Sequence, residues 1–267
     1  MSQVFYLYCL ISAGKFPPLE GPGIDGDHPL FLETMEDIAA VLCEVSLEMF
    51  SGPVAEERLQ DLSWIAPRAC RHEEVVMAVG SHVPVLPVRF GTVFSSPAHL
   101  AAVLEKHRQR VTAFLQHVEG SAEWTVKGFM DRGKAREEIA RVKLEEQAGA
   151  LAELPPGKRY FVEQRLKAAV DMDLRLWLRE LTDDVVKSLS PLTSDFSQRR
   201  LLARDVTGDD DEMFFNGAFL VPATSLAGLQ YLVAKFNDGL AARGLRFDLS
   251  GPWPPYSFAP ALDEALP

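Results

Sequence analysis

Cysteine is scarce in this chain: Cys9, Cys43 and Cys70 are the only three in 267 residues, far apart and in no Cys-x-x-Cys spacing. Odd in number and scattered, they signal neither a disulfide framework nor a zinc ribbon, and they read as small core residues of a reducing cytosol. Basic charge is short as well. The 27 Lys and Arg face 38 Asp and Glu, a net charge of -11, and neither half of the chain has an excess of base. A phosphate backbone needs clustered Lys and Arg, whereas the basic residues between Lys134 and Arg179 alternate with acids along helices, so nucleic-acid binding is disfavoured.

Two further segments are missing. The start, MSQVFYLYCLISAG, has no basic n-region and no small-residue cleavage pattern, and its Val4, Tyr6, Tyr8 alternation suits a strand, so export is not expected. One run, Phe214 to Ala234, carries no charge over 21 residues, but Asn216, Pro222, Thr224, Ser225 and Gln230 interrupt it. Pro222, with Thr224 as N-cap, divides it into a strand and an amphipathic helix, and membrane insertion is not expected.

Signatures of catalysis are also wanting. GPGIDG, at Gly21, Gly23 and Gly26, spells a dinucleotide fingerprint but leads into DHPLFLE, and without a helix N-terminus it makes no phosphate cradle. HEEVV at His72 has Val76 where a zincin helix needs its second histidine. Asp209, Asp210, Asp211 and Glu212 lack the alternating ligand positions and the glycine of a calcium loop and read as a turn. Ser81, Ser95 and Ser96 lie in no nucleophile elbow, and no glycine-rich loop carries a P-loop lysine. No catalytic, cofactor-binding or metal-ligating residue is therefore assigned.

What the chain does have is regular periodicity, repeated once. Val4–Ser12 reads as a strand, Leu30–Thr34 and Ile38–Val45 as a hairpin, and Ala55–Val79 as helix, with Leu59, Leu62, Ala66 and Ala69 as its inner stripe and Pro67 starting a second segment. Ser96 caps and Pro97 begins a helix striped by Leu100, Leu104, Val111, Phe114 and Val118 that stops at Gly120. The second half has a strand over Glu123–Met130, a helical hairpin over 134–189, strands over Phe196–Val206 and Met213–Val221, a helix from Thr224, and a last strand Leu245–Ser250. The hairpin's long helix carries the stripe Val162, Leu166, Val170, Leu174, Trp177, Leu181 and Val185. The expected fold is α+β in two domains: an N-terminal ferredoxin-like sandwich over 1–120, and a C-terminal α+β domain of related order over 121–267.

Each half closes on a proline-bearing edge. In VPVLPVRFGTVF, Val83 to Phe94, the alternation of Leu86, Val88 and Phe90 predicts a strand, and Pro84 and Pro87 place it at a sheet edge because each withholds a ladder N–H. Arg89 is the one charge in it, and either packs its stem on the sheet beside a carboxylate or contacts a partner. In GPWPPYSF, Gly251 to Phe258, three prolines stiffen the backbone. Trp253, Tyr256 and Phe258 thus either clamp the tail to its own domain or offer a partner an aromatic anchor.

PVLPVRFGTVF, EWTVK and SGPWPPYSF, with YLYCLI at the start, resemble the gas vesicle protein F/L family over nearly the whole chain. The resemblance implies a cytoplasmic prokaryotic protein, an N-terminal ferredoxin-like domain and a non-enzymatic minor component needed to build gas vesicles. Its implied partner is the small hydrophobic shell protein A, and Arg89, Trp253, Tyr256 and Phe258 are the candidate contact residues. The family brings no catalytic residues with it. A competing reading is a haem- or metal-dependent oxidoreductase or small-molecule sensor, which tandem ferredoxin-like halves also build.

Overall fold

A computed structural model describes residues 3–50, 53–203 and 208–262. The chain divides into two compact units, 1–123 with 252–267, and 124–251. The fold class is α+β, as the periodicities predict.

The first unit is built on β1 (Gln3–Ser12), with β2 (Leu30–Met35) and β3 (Ile38–Ser46) on one side of it. On its other side lie two short strands, β4 (Leu86–Pro87) and β5 (Val93–Phe94). All pairs are antiparallel. The β2–β3 hairpin turns at Glu36, whose φ of 56° is left-handed. Between Leu7 and Cys9 the β1–β3 register slips by one residue, so Tyr8 is the extra residue of a bulge. The slip lets Tyr8 and Cys9 both join Val4, Tyr6 and Ile11 in one core cluster, which strict alternation could not do.

Helices α1 (Pro53–Arg58), α2 (Leu62–Gly80) and α3 (Pro97–His117) complete this unit. α2 lays Val75, Val76 and Val79 on the cluster that holds Tyr6 and Tyr8, while α3 packs against β1, β4 and β5 through the expected stripe from Leu100 to Phe114. Between β1 and β2 runs a loop, not a helix. Its Ile24 is buried, and Gly23 is required there because a Cβ would lie 2.7 Å from the Cys43 side chain. GPGIDG is thus a packed loop, and the carbonyls of its Pro22 and of the preceding Glu20 accept from the Arg71 guanidinium.

Three expectations need correction here. α2 begins at Leu62, capped by the Asp61 carboxylate accepting from the Ser63 N–H, and Pro67 lies inside it instead of starting it. The expected inner stripe is turned to solvent: Leu59 and Leu62 are exposed, and the helix buries His72 with the three valines. Cys70, on the same outward face, is exposed, whereas Cys9 and Cys43 are core residues.

The second unit carries the sheet order β7-β8-β6-β9, from β6 (Ser121–Met130), β7 (Asp195–Gln198), β8 (Glu212–Pro222) and β9 (Leu245–Trp253). Numbered within its unit, each sheet runs second, third, first, fourth strand, so the repeat of order seen in the sequence is a repeat of topology. β7 is shorter than expected; Arg199 to Ala203 are not strand, and 204–206 of that reading lie outside the described residues. The crossover between β6 and β7 is helical: α4 (Arg132–Glu146), α5 (Ala148–Ala152) and α6 (Pro156–Leu189). α7 (Leu226–Leu240) follows a turn of 3₁₀ helix over Ala223–Ser225, so Thr224 is not its cap. In the acidic run before β8, Asp209 and Asp211 pair with Arg246 of β9, which also pairs with Asp248.

α6, with 34 residues, is about 51 Å long at 1.5 Å per residue. Its inner stripe is buried at Val170, Leu174, Val185 and Leu189, packed with Phe215, Phe219 and Leu229, and its contacts are with α4, α5 and α7. Leu174 is 3% exposed and Leu176, two residues on, is 53% exposed. Leu174→Ala is therefore expected to lower unfolding free energy by about 3 kcal/mol. Leu176→Ala should leave it within about 0.5 kcal/mol, both read from denaturant midpoints.

Candidate functional site

The segment expected as one strand, Val83–Phe94, is two strands and a turn. Gly91, at φ +86°, takes the left-handed position that breaks it, so Phe90 swings into the Tyr6 cluster while Leu86 belongs to the opposite side. The edge position is as expected. Val88 donates its N–H inward to the Tyr8 carbonyl at 3.2 Å, which leaves the missing N–H of Pro87 on the outer, unpaired side.

A buried polar pair holds this turn. The Val88 carbonyl can only accept, so His72 Nε2–H donates to it at 3.1 Å, and His72 Nδ1 must then accept from the Tyr6 hydroxyl at 2.8 Å. The same hydroxyl accepts the Gly91 N–H at 3.2 Å. The Arg89 carbonyl accepts from the N–H and hydroxyl of Thr92, whose own carbonyl accepts from Leu7 N–H. The backbone on either side of Arg89 is thereby held, while its side chain is exposed and has no carboxylate partner among the described residues. Burial lowers the His72 pKa to about 4, and its ring stacks on Tyr8 at 5.5 Å.

Beside this edge runs a groove of about 380 Å³, floored by Leu7, Leu86, Val88 and Phe94, with Arg89 at its rim and Tyr256 and Ala259–Leu262 as its far wall. The wall is fastened to the same unit. Glu123, 2% exposed, accepts from the Ser257 N–H and the Ser257 hydroxyl, each at 2.8 Å. Tyr256 packs on the Tyr6 cluster, and its hydroxyl is buried without a hydrogen bond of sound geometry. Burial, then the charge of Glu73, holds that phenol far above its ordinary range. A second, smaller cleft of about 170 Å³ is lined by Met77, Val83, Pro84, Val85 and Trp253.

Of the four candidate contact residues, the structure leaves Arg89 and Trp253 exposed, Trp253 at 39%, and half-buries Tyr256 and Phe258. Arg89 and Tyr256 share the groove; Trp253 lines the other cleft. Sequence reasoning missed His72 and Glu123. HEEVV was informative only against zinc, and a glutamate in the apolar strand EWTVK is the one signal that could have drawn attention to Glu123. Among the described residues, no group of three or more His, Cys, Asp or Glu side chains could hold a metal ion, and no helix is long and apolar enough to cross a membrane.

Comparison with known proteins decides the family. The model of the gas vesicle synthesis protein GvpL/GvpF family matches residues 4–260. The chain belongs to that family. Gas vesicle protein L of Streptomyces sp. (strain CB03234) is 30% identical over 246 residues, 91% of this chain and 87% of its own length. Gas vesicle protein L1 of Halobacterium salinarum is 24% identical, covering 97% of this chain and 91% of its own. Two crystal structures share the fold. GvpF from Anabaena sp. PCC7120 aligns with a TM-score of 0.71 at 17% identity, and GvpF from Microcystis aeruginosa with 0.65 at 18%, each over 97% of this chain and 99% of the other.

The buried histidine sets a pH dependence. Neutral His72 in the folded state, with a pKa near 4 against 6.5, means the unfolded chain takes the proton first as pH falls. Stability is full above pH 6.5, declines between 6.5 and about 4, and the loss over that window is about 3 kcal/mol. Denaturant unfolding at pH 7 and pH 4.5 is expected to show most of that loss in the natural sequence and markedly less of it in His72→Gln.

Proposed function

We propose that this chain is a non-enzymatic minor component and assembly factor of gas vesicles, acting in the cytoplasm. In this reading it binds the small hydrophobic shell protein A and keeps it from aggregating while a vesicle nucleates. The observation that carries the reading is the groove at the β4–β5 edge, in a chain belonging to this family: a strand edge that no described strand pairs with, beside apolar walls, with Arg89 at the rim lacking a carboxylate among the described residues. A subunit that polymerises through apolar surface and strand edges is capped by such a surface, because added backbone pairing supplies affinity and the walls supply selectivity. The net charge of -11 favours dispersal of the complex.

Within this proposal Arg89 and Trp253 make the contacts, and Tyr256 and Phe258 hold the tail that presents Trp253. A haem- or metal-dependent oxidoreductase or sensor is not favoured by the family relationship; a Soret band or a stoichiometric metal in the purified protein would reopen it. Deleting the gene in a host without a paralogue is expected to abolish or deform vesicles, and normal vesicle yield would refute an assembly role. Capture of shell protein A by purified protein is expected to fall about tenfold, or about 1.4 kcal/mol, in Arg89→Glu and in Trp253→Ala. Melting of both variants should stay close to that of the natural sequence; unchanged capture would remove the groove and the tail from the reading.

A further inference from the structure

The outer face of α6 exposes large apolar side chains that no described residue covers. Phe161, Met172 and Leu176 are 73%, 56% and 53% exposed, and at 100° per residue they fall within about 60° of one another around the helix, with the small Ala168 between them. Exposed large side chains on a soluble surface are common singly, but an aligned stripe of three marks an interaction face.

From Phe161 to Arg179 the charges on this face are all basic, and Asp183, one turn beyond Arg179, is the first acid on it. Arg165 and Arg179 lie within the same sector and Arg175 about 40° beyond its edge, all exposed, and none has a carboxylate partner among the described residues. Arg175 has Asp171 one turn before it, the position from which a carboxylate would ordinarily pair, but Asp171 is held by Arg132 and Arg136 of α4. Elsewhere in this unit the arginines of helix and sheet are engaged: Arg141 with Glu138 and Glu145, Arg159 with Glu163, Arg246 with three aspartates. In a chain of net charge -11, three unpaired guanidinium groups along about 21 Å of one helix are a local reversal of sign.

We infer that the Phe161–Arg179 face of α6 is a docking surface for an acidic amphipathic helix of a partner protein, about four turns long, laid side by side with α6. The partner's apolar stripe covers Phe161, Met172 and Leu176, and carboxylates flanking that stripe meet the three arginines. Helices pack through apolar seams edged by opposite charge, where the charges select the partner and its orientation. Arginine suits this role because its planar fork binds carboxylate in two-point fashion and is weakly hydrated. The inference is independent of the groove reading, since α6 and the β4–β5 edge belong to different units.

The test uses the full chain and two labelled synthetic peptides of eighteen residues with the same leucine stripe, one flanked by glutamates and the other by lysines. Fluorescence anisotropy is expected to show the glutamate peptide binding at least tenfold more tightly than the lysine peptide, with affinity falling as salt rises from 50 to 300 mM. The triple variant R165E/R175E/R179E, altered only at exposed positions, should keep its helix content and invert the preference. Equal affinity for both peptides, no binding of the glutamate peptide at millimolar concentration, or an unchanged preference in the triple variant would overturn the inference. So would a natural sequence that is dimeric by sedimentation and becomes monomeric in the triple variant, because the face would then be occupied by a second copy.

Discussion

The first unit depends on one buried contact, the Tyr6–His72 pair. A histidine at 3% exposure surrounded by Tyr6, Tyr8 and Phe90 is tolerable only if both ring nitrogens are satisfied and the ring is neutral. Both conditions are met by groups from outside α2: a hydroxyl on the central strand and a carbonyl on the edge. The pair therefore joins three elements that apolar packing alone would leave free to slide, and it does so at the residue before Arg89. Each bond is worth only about 1 kcal/mol net, but removing one partner leaves a buried polar group unpaired, at about 1–3 kcal/mol. Protonation has the same effect, because a doubly protonated ring turns the Tyr6 hydroxyl from donor to acceptor while Gly91 already donates to it.

The C-terminal tail repeats this arrangement with a carboxylate in place of the imidazole. Glu123 is at least as buried as His72 and spends both oxygens on Ser257. Its charge, after burial, adds to the rise of the neighbouring Glu73 carboxyl. A buried acid is a costly fastener compared with an apolar one, but it is directional: it selects one register for a proline-rich segment that could otherwise lie on the unit in several ways. The groove wall at Ala259–Leu262 inherits its place from that register.

Periodicity revealed the elements that bury one clean stripe. α3 and α6 follow their predicted stripes because each meets one packed surface, and the β2–β3 hairpin follows because two apolar runs flank a short break at Met35–Asp37. α2 departs from its reading for a physical reason: its first turns, with Leu59 and Leu62 nearby, are apolar but face solvent, and its buried face includes a histidine that hydropathy counts as polar. The Val83–Phe94 segment departs because a single glycine at φ +86° interrupts a pattern that otherwise alternates. The candidate site was legible only in part. Arg89 stands out as the lone charge in an apolar run, but what positions it lies 17 and 83 residues away in sequence, at His72 and Tyr6, beyond the reach of any local pattern.

α6 shows how one helix can satisfy two different demands. Its inner stripe has to be apolar because Phe215, Phe219 and Leu229 close over it, and that burial supplies the free energy that keeps thirty-four residues helical. Its outer face is under no such constraint, and there the economical choice for solubility is charge of mixed sign paired along the helix, as Arg159 and Glu163 show. Phe161, Met172 and Leu176 with three unpaired arginines are the opposite choice. Such a face gains nothing for the isolated fold: the exposed apolar area is left in water and the arginines repel one another about one turn apart at Arg175 and Arg179. Since α4 draws Asp171 away from this face to hold the helical hairpin together, the same ion pairs that stabilise the hairpin also leave the outer arginines available. Hairpin stability and the basic character of the exposed face are thus coupled through one aspartate.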